Sequence, residues 1–480
     1  MKEIRNLTML SDFYEFTMAN GYYENGMKET TAVFDAFYRK NPDGGGYAIF
    51  AGLNDIISYI KNLHFTEEDI EFFKSQGDFS EGFLDYLRNF KFTGDVYAFP
   101  EGSVMFPGEP IVTVKAPIIE CSIIETYLLL SMNFNSLIAT KTNRIVSSAG
   151  DRLVMEFGAR RAQGADASIT GARAAYIGGA PITSNSYSAQ KYGFRASGTM
   201  AHSWIQAFDT EYEAFKTYAK MYPENCILLI DTYDTLESGL ENAMKIFKEE
   251  LVPKGLTGGV RIDSGDLAYL SKEVRKRLDA NGFHDFTIVA SNSLDEFKIE
   301  SLLAQGAKID SFGIGERLIT AKSDPVFGGV YKLVAIEKDG DLEAKIKVSE
   351  NVEKITTPGF KKVYRLYDKE TGKAEADYIA IRDEKIDDSE PLVIFDPLFT
   401  WKMKKMKNYT AREMQVPIFK DGELVYDEPS LDEIADYRKK EVASLWDEVK
   451  RYDTPHNYYV DLSQKLWNLK QKLILEAKSK

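Results

Sequence analysis

Short apolar runs that end in polar residues and hand over to a helical pattern dominate the middle of this chain. Between residues 150 and 335 they read RLVMEFGARR, RASGTMAHSW, CILLIDTYDT, GGVRIDSGDL, FTIVASNSL and IDSFGIGERL. Segments such as EYEAFKTYAKMY, DLAYLSKEVRKRL and LDEFKIESLLAQG separate them, with apolar positions at helical spacing. Strand–helix alternation at this interval predicts a parallel sheet, closed or open. Ser293 and Glu296 match a capping box at the start of the last of these helices.

The flanks have a different texture. Before residue 130, TAVFDAFYR and YAIFAGL read as strands joined across the turn NPDGGG, and NDIISYIKNL and SEGFLDYLRNF read as helices. Short strands broken by Pro and Gly follow, then a long buried helix from IIECSIIETY onward. After residue 340, KDGDLEAKIKVS and KKVYRLYDKETGKAEADYIAI have hairpin patterns, and helices are expected at 430–450 and 457–478. The expected organisation is an N-terminal mixed α/β domain over 1–135, an α/β domain with the active site over 136–340, and a C-terminal α/β extension over 341–480. The basic run WKMKKMKNY (401–409) reads as a solvated face.

Composition narrows the function classes. The chain has 480 residues, 44% of them hydrophobic, enough for substantial cores in two or three domains. No apolar run reaches membrane-spanning length, and the opening MKEIRNLTMLSDFYEFTM interrupts any secretory pattern with charges. Cys121 and Cys226 are the only cysteines, so no disulfide framework is expected and the cytoplasm is the expected compartment. A net charge of −14 argues against nucleic acid as a partner. The stretch from 140 to 200 runs the other way, with eight cations against three acids, six of the cations arginines. Guanidinium forks suit phosphate and carboxylate groups, so a small anionic ligand fits this chain better than a polymer.

The candidate chemistry sits at the ends of the apolar runs. His202, Asp231, Asp234, Asp263, Asp266, Asn292, Gly313 and Gly315 all fall there, and the C-terminal strand ends of a barrel converge on one site. Carboxylates in such loops accept hydrogen bonds from sugar hydroxyls or hold Mg²⁺, although any single Asp reads equally well as a helix N-cap. The glycines of FGIGER leave backbone N–H groups open to a phosphate, with a tight turn as the plain alternative. His202 is one of four histidines, and a structural ring, a catalytic base and a phosphate acceptor all remain open for it. No Rossmann glycine fingerprint or catalytic cysteine pair is present. The inventory favours phosphoryl or phosphoribosyl chemistry.

Six stretches, in order, resemble the nicotinate phosphoribosyltransferase family: LSDFYEFTM (10–18), EFGARRAQG (156–164), GTMAHSW (198–204), DTYDT (231–235), RIDSGDL (261–267) and FGIGERL (312–318). The resemblance implies an irregular, TIM-like α/β barrel with a mixed α/β N-terminal domain and a C-terminal extension. It implies that nicotinate and 5-phosphoribosyl-1-pyrophosphate (PRPP) react with Mg²⁺ to give nicotinate mononucleotide and pyrophosphate. ATP hydrolysis would drive this through a phosphohistidine at His202. Asp231 and Asp263 would hold ribose or the pyrophosphate–Mg²⁺ group. Tyr14 and Phe157 would sandwich the pyridine ring, Thr199 and Arg261 would contact nicotinate, Arg160 would lie near the nucleotide phosphate, and Gly313 and Gly315 would receive the 5′-phosphate. A homodimer with shared active sites is also implied.

Two alternatives stand beside it. Nicotinamide phosphoribosyltransferases place an acid beside the ring, in a segment that aligns with YIGGAPITS (176–184). Here Ala180 or Pro181 takes that place, which favours a carboxylate substrate. A sugar-phosphate-binding regulator without turnover is the second, and retention of His202, Asp231 and Asp263 together speaks against it. Glu316 departs from the small hydroxyl residue expected after the glycine turn, setting a carboxylate beside the expected phosphate.

Overall fold

The alternation between residues 150 and 320 does build a parallel sheet. In the computed structural model, which describes residues 5–479, seven strands form it: β1 (Leu153–Glu156), β2 (Ile182–Thr183), β3 (Arg195–Ala196), β4 (Ile227–Leu229), β5 (Gly259–Ile262), β6 (Thr287–Ala290) and β7 (Ser311–Ile314). Their spatial order is β3-β2-β1-β7-β6-β5-β4, with every neighbouring pair parallel. That is a cyclic permutation of chain order. The last strand pairs with the first, as in a barrel, while β3 and β4 share no ladder. The TIM-like barrel expected above is therefore corrected to a curled half-barrel, open between β3 and β4. Both residues of β3 are exposed, so β3 ends the sheet as a solvent-facing edge and no ladder joins it to β4.

Inside the curl, Met155 of β1, Ile182 of β2 and Val289 of β6 form one buried cluster, with Phe157 and Ile227 packed against it. Side chains of alternate residues face opposite ways along a strand. On β5, Val260 and Ile262 are buried while Arg261 between them is half-buried.

The expected capping box does not form. The side chain of Asp295 caps Glu296–Ala304, accepting from the Lys298 N–H at 2.9 Å. Ser293 and Asn292 instead adopt positive φ, 49° and 96°, conformations costly for side-chain-bearing residues that recur at functional loops.

Residues 138–325 make up this unit, and residues 1–137 with 326–480 make up a second. The three consecutive segments expected from the sequence thus differ from the fold, because strands from both ends of the chain share one antiparallel sheet. Thr31–Phe37 pairs with both Val112–Pro117 and Val330–Lys338, and Asp95–Ala98 pairs with Val416–Lys420. NPDGGG is not a hairpin turn either. Ala48–Ile49, which follows it, pairs with Val104–Met105 and not with the preceding strand.

A fully buried Arg365 organises the C-terminal part of that unit. It makes a two-pronged pair with Asp377 at 2.6 and 2.8 Å and a third bond to Glu441 at 2.8 Å. Such a charge is tolerated inside a protein only with its hydrogen bonds satisfied. Among the described residues no helix is long and apolar enough to cross a membrane.

Candidate active site

A cavity of about 420 Å³ opens where the strands of the half-barrel end. Its walls come from the loop after each of six strands: Phe157 and Arg160 after β1, Ser184 after β2, Thr199 and His202 after β3, Asp263 after β5, Ser291 to Ser293 after β6, and Gly315 and Glu316 after β7. Arg261 of β5 and Gly313 of β7 line it from within the sheet.

Phe157 is set by what surrounds its backbone. Glu156, buried at the end of β1, accepts from the Thr183 hydroxyl at 2.6 Å and from the Gly158 N–H. This pins the corner on which Phe157 sits. Burial pushes the Glu156 carboxyl up, and the two hydrogen bonds oppose that shift. The ring then lies against Gly313, where a Cβ would come within 2.6 Å of ring carbons. The missing side chain of Gly313 makes room for an aromatic face. Gly315 opens the short helix Glu316–Ile319.

Arg261 is the dominant cation of the floor. Its guanidinium donates to the Thr199 hydroxyl. Among the described residues its guanidinium makes no hydrogen bond to a carboxylate, and Nε is buried without a partner. Burial lowers its pKa, and the charges of Asp263 and Asp231 raise it. The result is a held, partly desolvated cation with hydrogen-bonding capacity to spare, in a cavity that also presents the Phe157 ring. That pairing suits a planar aromatic carboxylate.

The acids divide into two groups. Asp234 accepts from the N–H groups of Leu236 and Glu237, and Asp266 accepts from that of Tyr269, so both are helix caps. Asp263 lines the cavity, and its carboxylate accepts from the Ser291 hydroxyl. Asp231 is not among the lining residues. It accepts from the Asp263 N–H at 3.0 Å and the Ser264 hydroxyl at 2.6 Å, bracing that turn, and its Oδ1 is buried without a partner.

His202 begins the helix His202–Gln206, and its Nδ1 lies 3.0 Å from Thr232 Oγ1. Glu316 lines the cavity but pairs with Lys322 at 2.6 Å, which holds its carboxyl below the usual range. Tyr14 lies in the other unit on the helix Phe13–Glu24, half exposed, and is not among the lining residues.

The basic stretch from 140 to 200 turns out to be mainly structural. Lys141 and Arg144 are buried and each meets Glu296 at 2.9 Å, while Arg152 donates to the Ile309 carbonyl. Arg160 and Arg161 are the members that reach the cavity. Sequence reasoning missed Ser184, Ser291 and Ser293, because serines at strand ends resemble ordinary turn residues. Within 176–184, Ser184 lines the cavity, whereas Ala180 and Pro181 do not.

Comparison with known proteins finds one family along most of the chain. Three family models match in succession: the nicotinate phosphoribosyltransferase N-terminal domain over residues 9–133, the nicotinate phosphoribosyltransferase family over 153–358, and its C-terminal domain over 360–470. The chain is 45% identical over 475 residues to a Bacillus subtilis nicotinate phosphoribosyltransferase, covering 99% of this chain and 96% of that protein. It is 31% identical to the human one, with 95% of each covered. The crystal structure of human nicotinic acid phosphoribosyltransferase superposes with a TM-score of 0.83 at 29% identity, over 97% of this chain and 100% of that one. On this evidence the chain belongs to the nicotinate phosphoribosyltransferase family.

Proposed function

We propose that this protein transfers the phosphoribosyl group of PRPP to nicotinate, forming nicotinate mononucleotide and pyrophosphate, with ATP hydrolysis coupled through a phosphohistidine at His202. The observation that carries the reading is Arg261: a half-buried guanidinium with no carboxylate in hydrogen-bond reach, held by Thr199 in the cavity that Phe157 also lines. In this reading Arg261 and Thr199 take the carboxylate of nicotinate and Phe157 takes one face of its ring. Tyr14 of a second copy of the chain covers the other face. The exposed apolar strip formed by Leu10, Phe13, Tyr14 and Met18 supports such a homodimer.

As the pyridine nitrogen attacks C1, the bond from C1 to pyrophosphate breaks and positive charge builds on the sugar. Asp263, oriented by Ser291 and braced from below by Asp231, supplies the fixed negative field there. Arg160 and the turn at Gly315 serve the phosphate groups, and the pairing of Glu316 with Lys322 reduces its repulsion there. Mg²⁺ binds with few protein carboxylates and keeps water and substrate phosphate oxygens as ligands. Asp231 and Asp263, with the unpartnered Asp231 Oδ1, fit that requirement. Once bound, the ion would neutralise the leaving pyrophosphate.

Incubation with PRPP and Mg²⁺ plus nicotinate, nicotinamide or quinolinate, with and without ATP, tests the reading. Mononucleotide from nicotinate alone, with ADP released, is expected. Binding without turnover for every base would leave the regulator.

Two substitutions probe the base pocket. Ser184→Asp brings a carboxylate to the cavity wall and should lower kcat/KM for nicotinate by ~10-fold or more through like-charge repulsion. With both bases in competition, an unchanged product ratio would refute that. Gly313→Ala drives a methyl group into the Phe157 ring and should raise the nicotinate KM by roughly 10-fold, the scale of a 1–3 kcal/mol overpacking cost. Steady-state kinetics beside a melting curve separates a tilted ring from a damaged fold.

A further inference from the structure

The opening in the half-barrel lies between β3 and β4, and the chain crosses it with side chains, not with a ladder. His202 follows β3 and Thr232 follows β4. Thr232 Oγ1 lies 3.0 Å from His202 Nδ1, the one hydrogen bond that this ring makes with the described residues. Both side chains are half-buried. Since no strand pairing ties the two loops together, the orientation of the imidazole depends on this contact.

We infer that Thr232 is a positioning residue that holds His202 with Nε2 as the phosphoryl acceptor. The inference rests on the phosphohistidine reading above and adds to it the reacting atom and the group that selects it.

A hydroxyl can donate or accept, and each choice fixes a tautomer of the ring. If Thr232 donated to Nδ1, a neutral ring would carry its proton on Nε2 and neither nitrogen would have a free lone pair. If Nδ1–H donates to Thr232, the Nε2 lone pair is free, so only this arrangement allows attack. The Nε2 lone pair then forms a bond to the γ-phosphorus of ATP. The bond from that phosphorus to the β–γ bridging oxygen breaks, and its electron pair leaves with ADP. The Nδ1 proton stays on the ring, held against Thr232 Oγ1, where it stabilises the positive charge spread over the imidazole. In discharge, water adds to phosphorus, the N–P electron pair returns to Nε2, and phosphate leaves as the water gives up its proton to solvent. Orienting partners of this kind matter to histidine nucleophiles as much as proximity does.

The test uses the full-length protein with ATP and Mg²⁺ as wild type, Thr232→Ser and Thr232→Val. Phosphoenzyme denatured in alkali is read by ³¹P NMR, which separates Nε2-phosphohistidine from the Nδ1 isomer, and ATP hydrolysis is followed against pH. Wild type and Thr232→Ser should both carry phosphate on Nε2, with hydrolysis rates within ~3-fold of each other. Thr232→Val should slow phosphorylation ~10-fold or more or carry part of the phosphate on Nδ1, at an unchanged melting temperature. Phosphate on Nδ1 in the wild type overturns the inference while leaving the phosphohistidine reading intact. So does a Thr232→Val protein with unaltered rate and pH profile. Absence of any phosphohistidine in the wild type overturns that reading itself. Should Thr232→Val fail to fold, the nitrogen found in wild type and Thr232→Ser still decides.

Discussion

Replacing His202 with alanine is expected to lower ATP hydrolysis by ~10³-fold or more, since no other side chain of the cavity has a nucleophile of comparable strength at neutral pH. The lining residues with reactive heteroatoms are serines, a threonine, carboxylates and arginines. Both cysteines are buried, and burial pushes the Cys226 thiol up to about 12. Nicotinate mononucleotide formation by the variant in the presence of ATP should drop to the level that the wild type reaches without ATP. The fold should survive, because the ring is half-buried and has one hydrogen bond. Measuring product and ADP together checks both parts. Equal yields from His202→Ala with and without ATP, matching the wild type with ATP, would end the coupling proposal.

Arg261→Met carries the second large effect. Methionine fills the channel left by the aliphatic stem but removes the charge. The lost charge-assisted hydrogen bonds to a carboxylate are worth about 3 kcal/mol, or ~100-fold in kcat/KM for nicotinate. Nicotinamide, which has no charge to lose, should be affected far less, so the ratio of the two kcat/KM values is the readout. The variant also frees Thr199 and removes the cation that faces Asp263 and Asp231, so some loss of thermal stability should accompany it. Nicotinate kinetics that stay at the wild-type level would show that the carboxylate binds elsewhere, with Arg160 and Arg161 as the next cations on the cavity wall.

Much of this was legible from local pattern. The strand–helix alternation, the hairpins after residue 330 and the strand-end position of His202, Asp263 and Arg261 follow from periodicity and turn residues, which act over a few positions. Of the residues named from the motifs, His202, Asp263, Arg261, Thr199, Phe157, Arg160, Gly313 and Gly315 line the cavity, whereas Tyr14, Asp231, Asp234 and Asp266 do not. The departures share one cause. Asp231 reads like Asp263 in sequence, yet one braces a turn and the other lines the cavity, because the difference lies in what approaches from the neighbouring strand. Asp234 and Asp266 satisfy helix N-termini, a role that competes with ligand binding for the same residue type in the same loop. Gly313 reads as a phosphate turn, but its missing Cβ is filled by a ring located 156 residues earlier in the chain. The basic stretch from 140 to 200 reads as one patch, although its members Lys141 and Arg144 are consumed by Glu296.

By itself, then, the sequence determined the element types, the parallel sheet and the identity of the chemical groups at its strand ends, all set by short-range spacing. Tertiary structure alone decided three further matters. The barrel stays open between β3 and β4, because both residues of β3 face solvent and no strand covers its outer edge. The two ends of the chain share one sheet, because their partners lie hundreds of residues apart. Thr232 rather than an acid holds His202, because a hydrogen bond across that opening depends on how two loops meet in space.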